Sequence, residues 1–151
     1  MNDGQPPVVA FYSYVTGVSI ELPVGFEFAG EDDASASYAD RADDGPVTER
    51  TPVVRIRVVG TVEGGRRAAL EAVRGLADGF AGAGRETISR TDRVIDGCPA
   101  TTVVSREPGR VLHQSAVVAD GRLVTTVAVA PADDLLPAFD AALDSIRFVR
   151  L

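Results

Sequence analysis

Two Asp-Gly pairs, Asp96-Gly97 and Asp120-Gly121, stand between alternating runs of β-branched residues, and no other feature restricts the fold of this chain as strongly. A two-residue loop of type I′ needs positive φ at both central positions, which aspartate and glycine tolerate better than most residues. The pairs predict hairpins that join Glu86–Ile95 to Ala100–Arg106 and Val111–Ala119 to Arg122–Ala130, with Glu107-Pro108-Gly109-Arg110 turning the chain between them. Four strands joined in this way make an antiparallel meander.

The second turn also sets a register. If Ala119 and Arg122 flank the loop, one side of the sheet carries Val118 with Leu123, Ala116 with Thr125, Gln114 with Val127 and Leu112 with Val129. This more apolar side is expected to take a helix. The other side pairs Val117 with Val124, Ser115 with Thr126, His113 with Ala128, and Val111 with Ala130, leaving a polar band of His113, Ser115 and Thr126 between aliphatic ends. An antiparallel sheet can leave one face to water. The mixed side is therefore read as solvated, or else as a binding surface for a peptide, helix or acyl chain formed by His113, Ser115, Val117, Val124, Thr126 and Ala128; burial under the acidic segment 30–50 is a third reading.

Elsewhere the periodicities are shorter. Val8–Tyr14 and Val18–Leu22 read as a first hairpin, with Val18, Ile20 and Leu22 on one face. Pro23 stops it, and Pro23-Val24-Gly25-Phe26 suggests a turn that tucks an aromatic ring under the sheet. From Gly30 to Arg50 seven acids face only Arg41 and Arg50, which concentrates −5 of the chain's net charge of −7. That composition predicts a mobile acidic insertion. Residues 52–62 return to strand. The segment Arg66–Ala83 carries Ala69, Leu70, Val73, Leu76, Ala77 and Phe80 on one helical stripe, closed by Gly82 and Gly84. A second helix opens at Pro131-Ala132-Asp133-Asp134, where aspartate is expected to cap free N–H groups, and buries Leu135, Phe139, Leu143 and Ile146. Residues 147–151 read as a short edge strand. The fold class is α+β, in one domain spanning 1–151: an antiparallel sheet, built from the hairpin and the meander, packed with two helices.

Composition removes most chemistry. All 15 basic residues are arginine, so Schiff-base and P-loop lysine roles have no residue to perform them. One cysteine and one histidine, Cys98 and His113, cannot supply a zinc site. No carboxylate falls on the strand face of His113, so a Ser-His-Asp arrangement would have to recruit one from afar. The acidic balance speaks against a nucleic-acid partner. No apolar run reaches membrane length, and the start lacks the pattern of a secretory signal, which leads to an expectation of a cytoplasmic protein without stable membrane insertion. No metal or cofactor is expected.

The order of elements, with Val18–Phe28, Ile95–Ala100, the strands around Asp120-Gly121 and the closing Phe139–Phe148, resembles the PsbP-like group, and within it the bacterial DcrB-like and LpqN-like proteins. The resemblance implies an α/β/α sandwich. It also implies a scaffold without a shared active site, since that group includes a photosystem accessory protein, a regulator that binds the small GTPase Ran, exported lipoproteins and the Eag chaperones of type VI secretion effectors. The expectation is a non-enzymatic binding module, a cytoplasmic adaptor or chaperone for a protein partner such as a secretion effector or a hydrophobic segment. A small-ligand or lipid carrier with a pocket between sheet and helix is the alternative, and a homodimer is within the reading.

Overall fold

The computed structural model describes residues 7–41, 46–48 and 50–149. The chain runs through β1 (Val8–Ser13), β2 (Val18–Pro23), β3 (Phe26–Glu31), β4 (Ser35–Asp40), β5 (Val53–Thr61), α1 (Gly65–Ala81), β6 (Glu86–Ile95), β7 (Cys98–Glu107), β8 (Arg110–Ala119) and β9 (Arg122–Ala130). A 3-10 turn at Asp133–Leu135 then leads into α2 (Leu136–Ser145), and β10 (Arg147–Phe148) follows. The fold is α+β with antiparallel sheets, as the periodicities require.

Both Asp-Gly turns have the backbone their chemistry predicts: φ is 48° and 77° at Asp96 and Gly97, and 51° and 75° at Asp120 and Gly121. The register across the second turn matches at every position, from Ala119 opposite Arg122 to Val111 opposite Ala130. Strand order in the large sheet is β3-β4-β5-β9-β8-β7-β6. The N-terminal hairpin does not join it. β1 and β2 form a separate three-stranded sheet closed by β10, in which Arg147 and Phe148 pair with Ser19 and Val18.

The chain crosses from the small sheet to the large one at Pro23–Phe26, where Gly25 takes φ 112° and Phe26 is buried. Three layers result. α1 covers one side of the large sheet, setting Ala69 and Val73 against Ala116 and Val118. The other side is covered jointly by the small sheet and α2, whose Val18, Ile20, Leu22, Phe139, Leu143 and Ile146 join Val54, Ile56, Val117, Val124 and Ala128 in the main core.

Two expectations need correction. The acidic segment 30–50 is not an unstructured insertion in its first part: β3 runs to Glu31, and Ser35–Asp40 is an interior strand, hydrogen-bonded between β3 and β5 with Ser35, Ala36, Tyr38 and Ala39 buried. At the turn before it, Asp32 accepts the Ala34 N–H at 2.9 Å and Arg55 at 3.3 Å, and the hydrogen bonds from Ala34 and Ser35, with Arg55, hold its carboxyl below the usual range. Asp43, Asp44 and Glu49 lie outside the described residues. The second helix lacks the expected aspartate cap. Asp133 instead accepts Arg106 at 2.6 Å, and no side chain caps either the 3-10 turn or α2.

Candidate functional site

All six residues of the mixed sheet face are buried: His113 and Ser115 on β8, Val117 beside them, and Val124, Thr126 and Ala128 on β9. The expectation that this face meets solvent is overturned. Its cover comes from segments far away in sequence, the β1–β2 hairpin and α2, and among the described residues of the acidic segment Ala36 and Tyr38 lie beside it in the same sheet. With these side chains enclosed, the face is not an open docking surface in the folded chain.

Burial forces the polar band to find internal partners, because an unpaired buried polar group costs about 1–3 kcal/mol. The Ser115 hydroxyl pairs with that of Thr102 on β7 at 2.8 Å. His113 Nε2 lies 2.7 Å from Asp140 Oδ1 on α2, and its ring meets Phe139 edge-on at 6.1 Å between centroids. The Thr126 hydroxyl has no partner among the described residues. Asp140 also accepts Arg93 Nη1 at 3.2 Å, and Arg93 Nη2 donates to Asp144 at 2.9 Å. Arg93 on β6 thus spans two carboxylates one helical turn apart and ties the sheet edge to α2.

Electrostatics fix the protonation of this group. Burial pushes the His113 imidazole below its ordinary value; Asp140 pulls it upward without prevailing, and Arg93 adds to the lowering. At neutral pH the ring is therefore neutral, and the Nε2 proton is donated to Asp140. Burial would raise the Asp140 carboxyl, but the hydrogen bond from His113 and the Arg93 guanidinium outweigh it and hold the group below the usual carboxylate range. Asp140 is the carboxylate that the strand face lacks. It arrives from the helix, and the hydrogen bond of Ser115 runs to Thr102. What the arrangement does is fasten α2 to the sheet.

Next to His113, the space between Ile20, Val54, Thr126, Phe139 and Leu143 is a void of about 10 Å³. A water needs roughly 10–15 Å³. A much larger open groove, about 1050 Å³, lies on the outer side of the same helix, between Ala138, Ala141 and Ser145 of α2 and Val8, Ala10, Ser19 and Glu21 of the hairpin. Asp144 and Arg147 mark its charged end. Two residue patterns predict it in retrospect. Ala138, Ala141 and Ser145 fall at helical spacing beside the buried stripe, and Val8 and Ala10 alternate with the inward face of β1. A smaller notch of about 310 Å³ lies between α1 and β6, with Arg66, Leu70, Arg74 and Val94 on its walls.

Among the described residues no cluster of three or more His, Cys, Asp or Glu could hold a metal ion, and Cys98 is buried at the start of β7. No helix among them is long and apolar enough to cross a membrane.

No family model matches the chain, and no curated protein matches it. Solved structures do. The cyanobacterial PsbP protein, CyanoP, of Synechocystis sp. PCC 6803 is similar over 99% of this chain and 96% of its own, with TM-score 0.58 and 15% identity. A point mutant of the protein Mog1 gives TM-score 0.64 at 12% identity, covering 95% of this chain and 96% of its own. LpqN of Mycobacterium tuberculosis, described as involved in cell envelope biogenesis, gives TM-score 0.62 at 13% identity, covering 98% and 94%. The narrower resemblance to DcrB-like proteins and Eag chaperones is carried by none of these three. At such low identities the likeness is one of fold, and the fold of this chain is PsbP-like.

Proposed function

We propose that the chain is a non-enzymatic binding module that acts in the cytoplasm as an adaptor or chaperone for a protein partner, engaging it along the groove between the β1–β2 hairpin and α2. The observation that supports this reading is a contrast in how polar groups are used. His113, Ser115 and Thr102 are buried and bonded to neighbours, whereas the groove is open and lined largely by small or apolar side chains, with Glu21, Asp144 and Arg147 as its charged residues. Small side chains let a partner's backbone approach closely, and a charged end favours one orientation. A helix or an extended hydrophobic segment, such as part of a secretion effector, fits that description.

The carrier reading asks for an enclosed space between sheet and helix. The void beside His113 is about 10 Å³, far below the roughly 300–1,000 Å³ of small-molecule sites, so the protein-partner reading is favoured. The test is affinity capture from the native host with the wild-type chain and with Ala141→Arg as baits, followed by fractionation to locate the complex. Ala141 is exposed on α2, and arginine is a good helix former there. A cytoplasmic partner held by wild type and lost from Ala141→Arg is expected. Equal retention by both baits, or no reproducible partner, would sink the proposal.

A further inference from the structure

We infer that β1 is a self-pairing edge through which two copies of this chain join their three-stranded sheets into one of six strands. This needs no other protein and uses the backbone edge of β1, although the side chains of Val8 and Ala10 also line the groove.

The sheet edges differ in how they are protected. A free edge presents unpaired N–H and C=O groups, and proteins blunt it with charge, proline, bulges or shortness. Among the described residues, β3 is an edge with Glu27 and Glu31 and a register shift between Phe28 and Gly30. The opposite edge, β6, carries Glu86, Arg90, Asp92 and Arg93 and a shift between Thr87 and Ser89. β10 is an edge of only two residues. β1 has none of these protections. It is six residues of Val-Val-Ala-Phe-Tyr-Ser, pairs with β2 in unbroken register, and leaves Val8, Val9 and Tyr12 at 50%, 38% and 46% exposure.

The backbone of β1 has a definite hydrogen-bonding direction. Pro7 O accepts the N–H of Val24, and Ser13 O accepts the N–H of Gly17, so the odd-numbered residues point their backbone groups toward β2. By the alternation of a strand, Val8, Ala10 and Tyr12 point theirs to the open side. A second copy related by a two-fold axis perpendicular to the sheet must pair open residues with open residues. Centring on Ala10 satisfies all three: Ala10 faces Ala10 of the second copy, and Val8 faces Tyr12 in both directions. Between them Val9 falls opposite Phe11. Every pair within Val8–Tyr12 is then apolar, two of the three kinds there join a β-branched residue to an aromatic one, Ser13 falls opposite Pro7, and no charge meets its like. That self-complementarity names a second copy as the occupant. A six-residue edge buries less than the roughly 1,200–2,000 Å² of stable interfaces, so the dimer is weak and concentration-dependent.

Sedimentation velocity across micromolar to millimolar chain concentration tests this. Wild type is expected to shift from monomer to dimer. Ala10→Lys, exposed and remote from the core, sets two ammonium groups face to face at the axis and should weaken the dimer by roughly tenfold or more while leaving the far-ultraviolet spectrum and Tm unchanged. Ala10→Cys is the second variant. Its two Cα atoms would lie about 5.5 Å apart, within disulfide reach, so mild oxidation should give a covalent dimer. Tyr14→Cys, whose copies would sit at opposite ends of the paired strands, should not. A chain that stays monomeric throughout, a dimer untouched by Ala10→Lys, or cross-linking as efficient through position 14 as through position 10 would each overturn the inference. The purified chain is used alone, and Ala141→Arg, which alters the groove but not β1, should dimerise as wild type does, so this inference and the groove reading can fail separately.

Discussion

Under α1 the large sheet is sealed by alanines and valines, Ala69 and Val73 against Ala116 and Val118, whereas under α2 it carries His113, Ser115 and Thr126 and is sealed just as completely. The first closure is mainly apolar, with an exposed ion pair from Asp78 of α1 to Arg90 of β6 at 2.7 Å and a hydrogen bond from Arg85 to the buried Gln114 at its margin. The second also encloses polar groups: Ser115 pairs with Thr102 and His113 with Asp140, which Arg93 holds in turn, while the Thr126 hydroxyl has no partner among the described residues. Hydroxyls and an imidazole on a strand face therefore do not mean that the face is wet. Here Ser115 finds its partner within the sheet, at Thr102, and only His113 takes one from the cover, Asp140 of α2.

The sharpest way to break this contrast is through the apolar anchor of the polar side. Phe139 is 2% exposed and touches both the His113 ring and the main core. Phe139→Ala removes a buried aromatic and leaves a cavity, and should cost about 3–5 kcal/mol in chemical denaturation. A loss below about 1 kcal/mol would show that α2 is only loosely seated.

A smaller effect, and a more specific one, is expected at the pair itself. Asp140→Ala leaves the His113 Nε2–H buried without its acceptor, at a cost of about 1–3 kcal/mol. Because His113 is neutral when folded, its pKa lies below the unfolded value. That contribution to stability is complete above about pH 6.5 and is lost as pH falls toward the folded value. Asp140, also lowered, loses its share at still more acid pH, below about 3.8. Unfolding titrations should therefore show stability declining in two stages on acidification. The first stage should vanish in a His113→Phe variant and deepen in Asp140→Asn, where no carboxylate supports the imidazolium. An unchanged first stage in His113→Phe would remove His113 as its source.

How much of this was readable in the sequence differs between the two faces for a physical reason. A two-residue turn fixes register locally, so the Asp120-Gly121 hairpin could be written residue against residue, and the helix on its apolar side followed from Ala69, Val73 and Ala77. The cover on the other side comes from β2 and α2, far from β8 and β9 in sequence, and no local pattern says where they dock. Asp140 was visible only as a polar position on a helix. β4 was hidden differently. Its Ser-Ala-Ser-Tyr-Ala-Asp alternates as a strand should, but the acids on both sides dominated the composition, and its burial depends on partners supplied by β3 and β5.

On the α1 side the expected losses are smaller, because each contact is small. Val73→Ala deletes two buried methyl-sized groups, worth roughly 1.5 kcal/mol at about 0.8 each. This is less than Phe139→Ala and has no pH dependence.

The smallest effect should have the opposite sign. Gly75 lies inside α1 on its exposed side, and a Cβ built there meets nothing within 4 Å. Glycine in a helix interior costs about 0.5–1 kcal/mol relative to alanine, chiefly through the freedom it holds when unfolded. Gly75→Ala should therefore stabilise the chain by that amount, and Gly79→Ala, equally open, should do the same. If α1 keeps its seat on the sheet, the two gains add, since neither methyl has a neighbour within 4 Å. A double variant that gains much less than the two singles together would show that α1 shifts on the sheet as its own helicity rises. The apolar closure would then be the adjustable one, and the polar closure, held by directed bonds at His113 and Arg93, the rigid one.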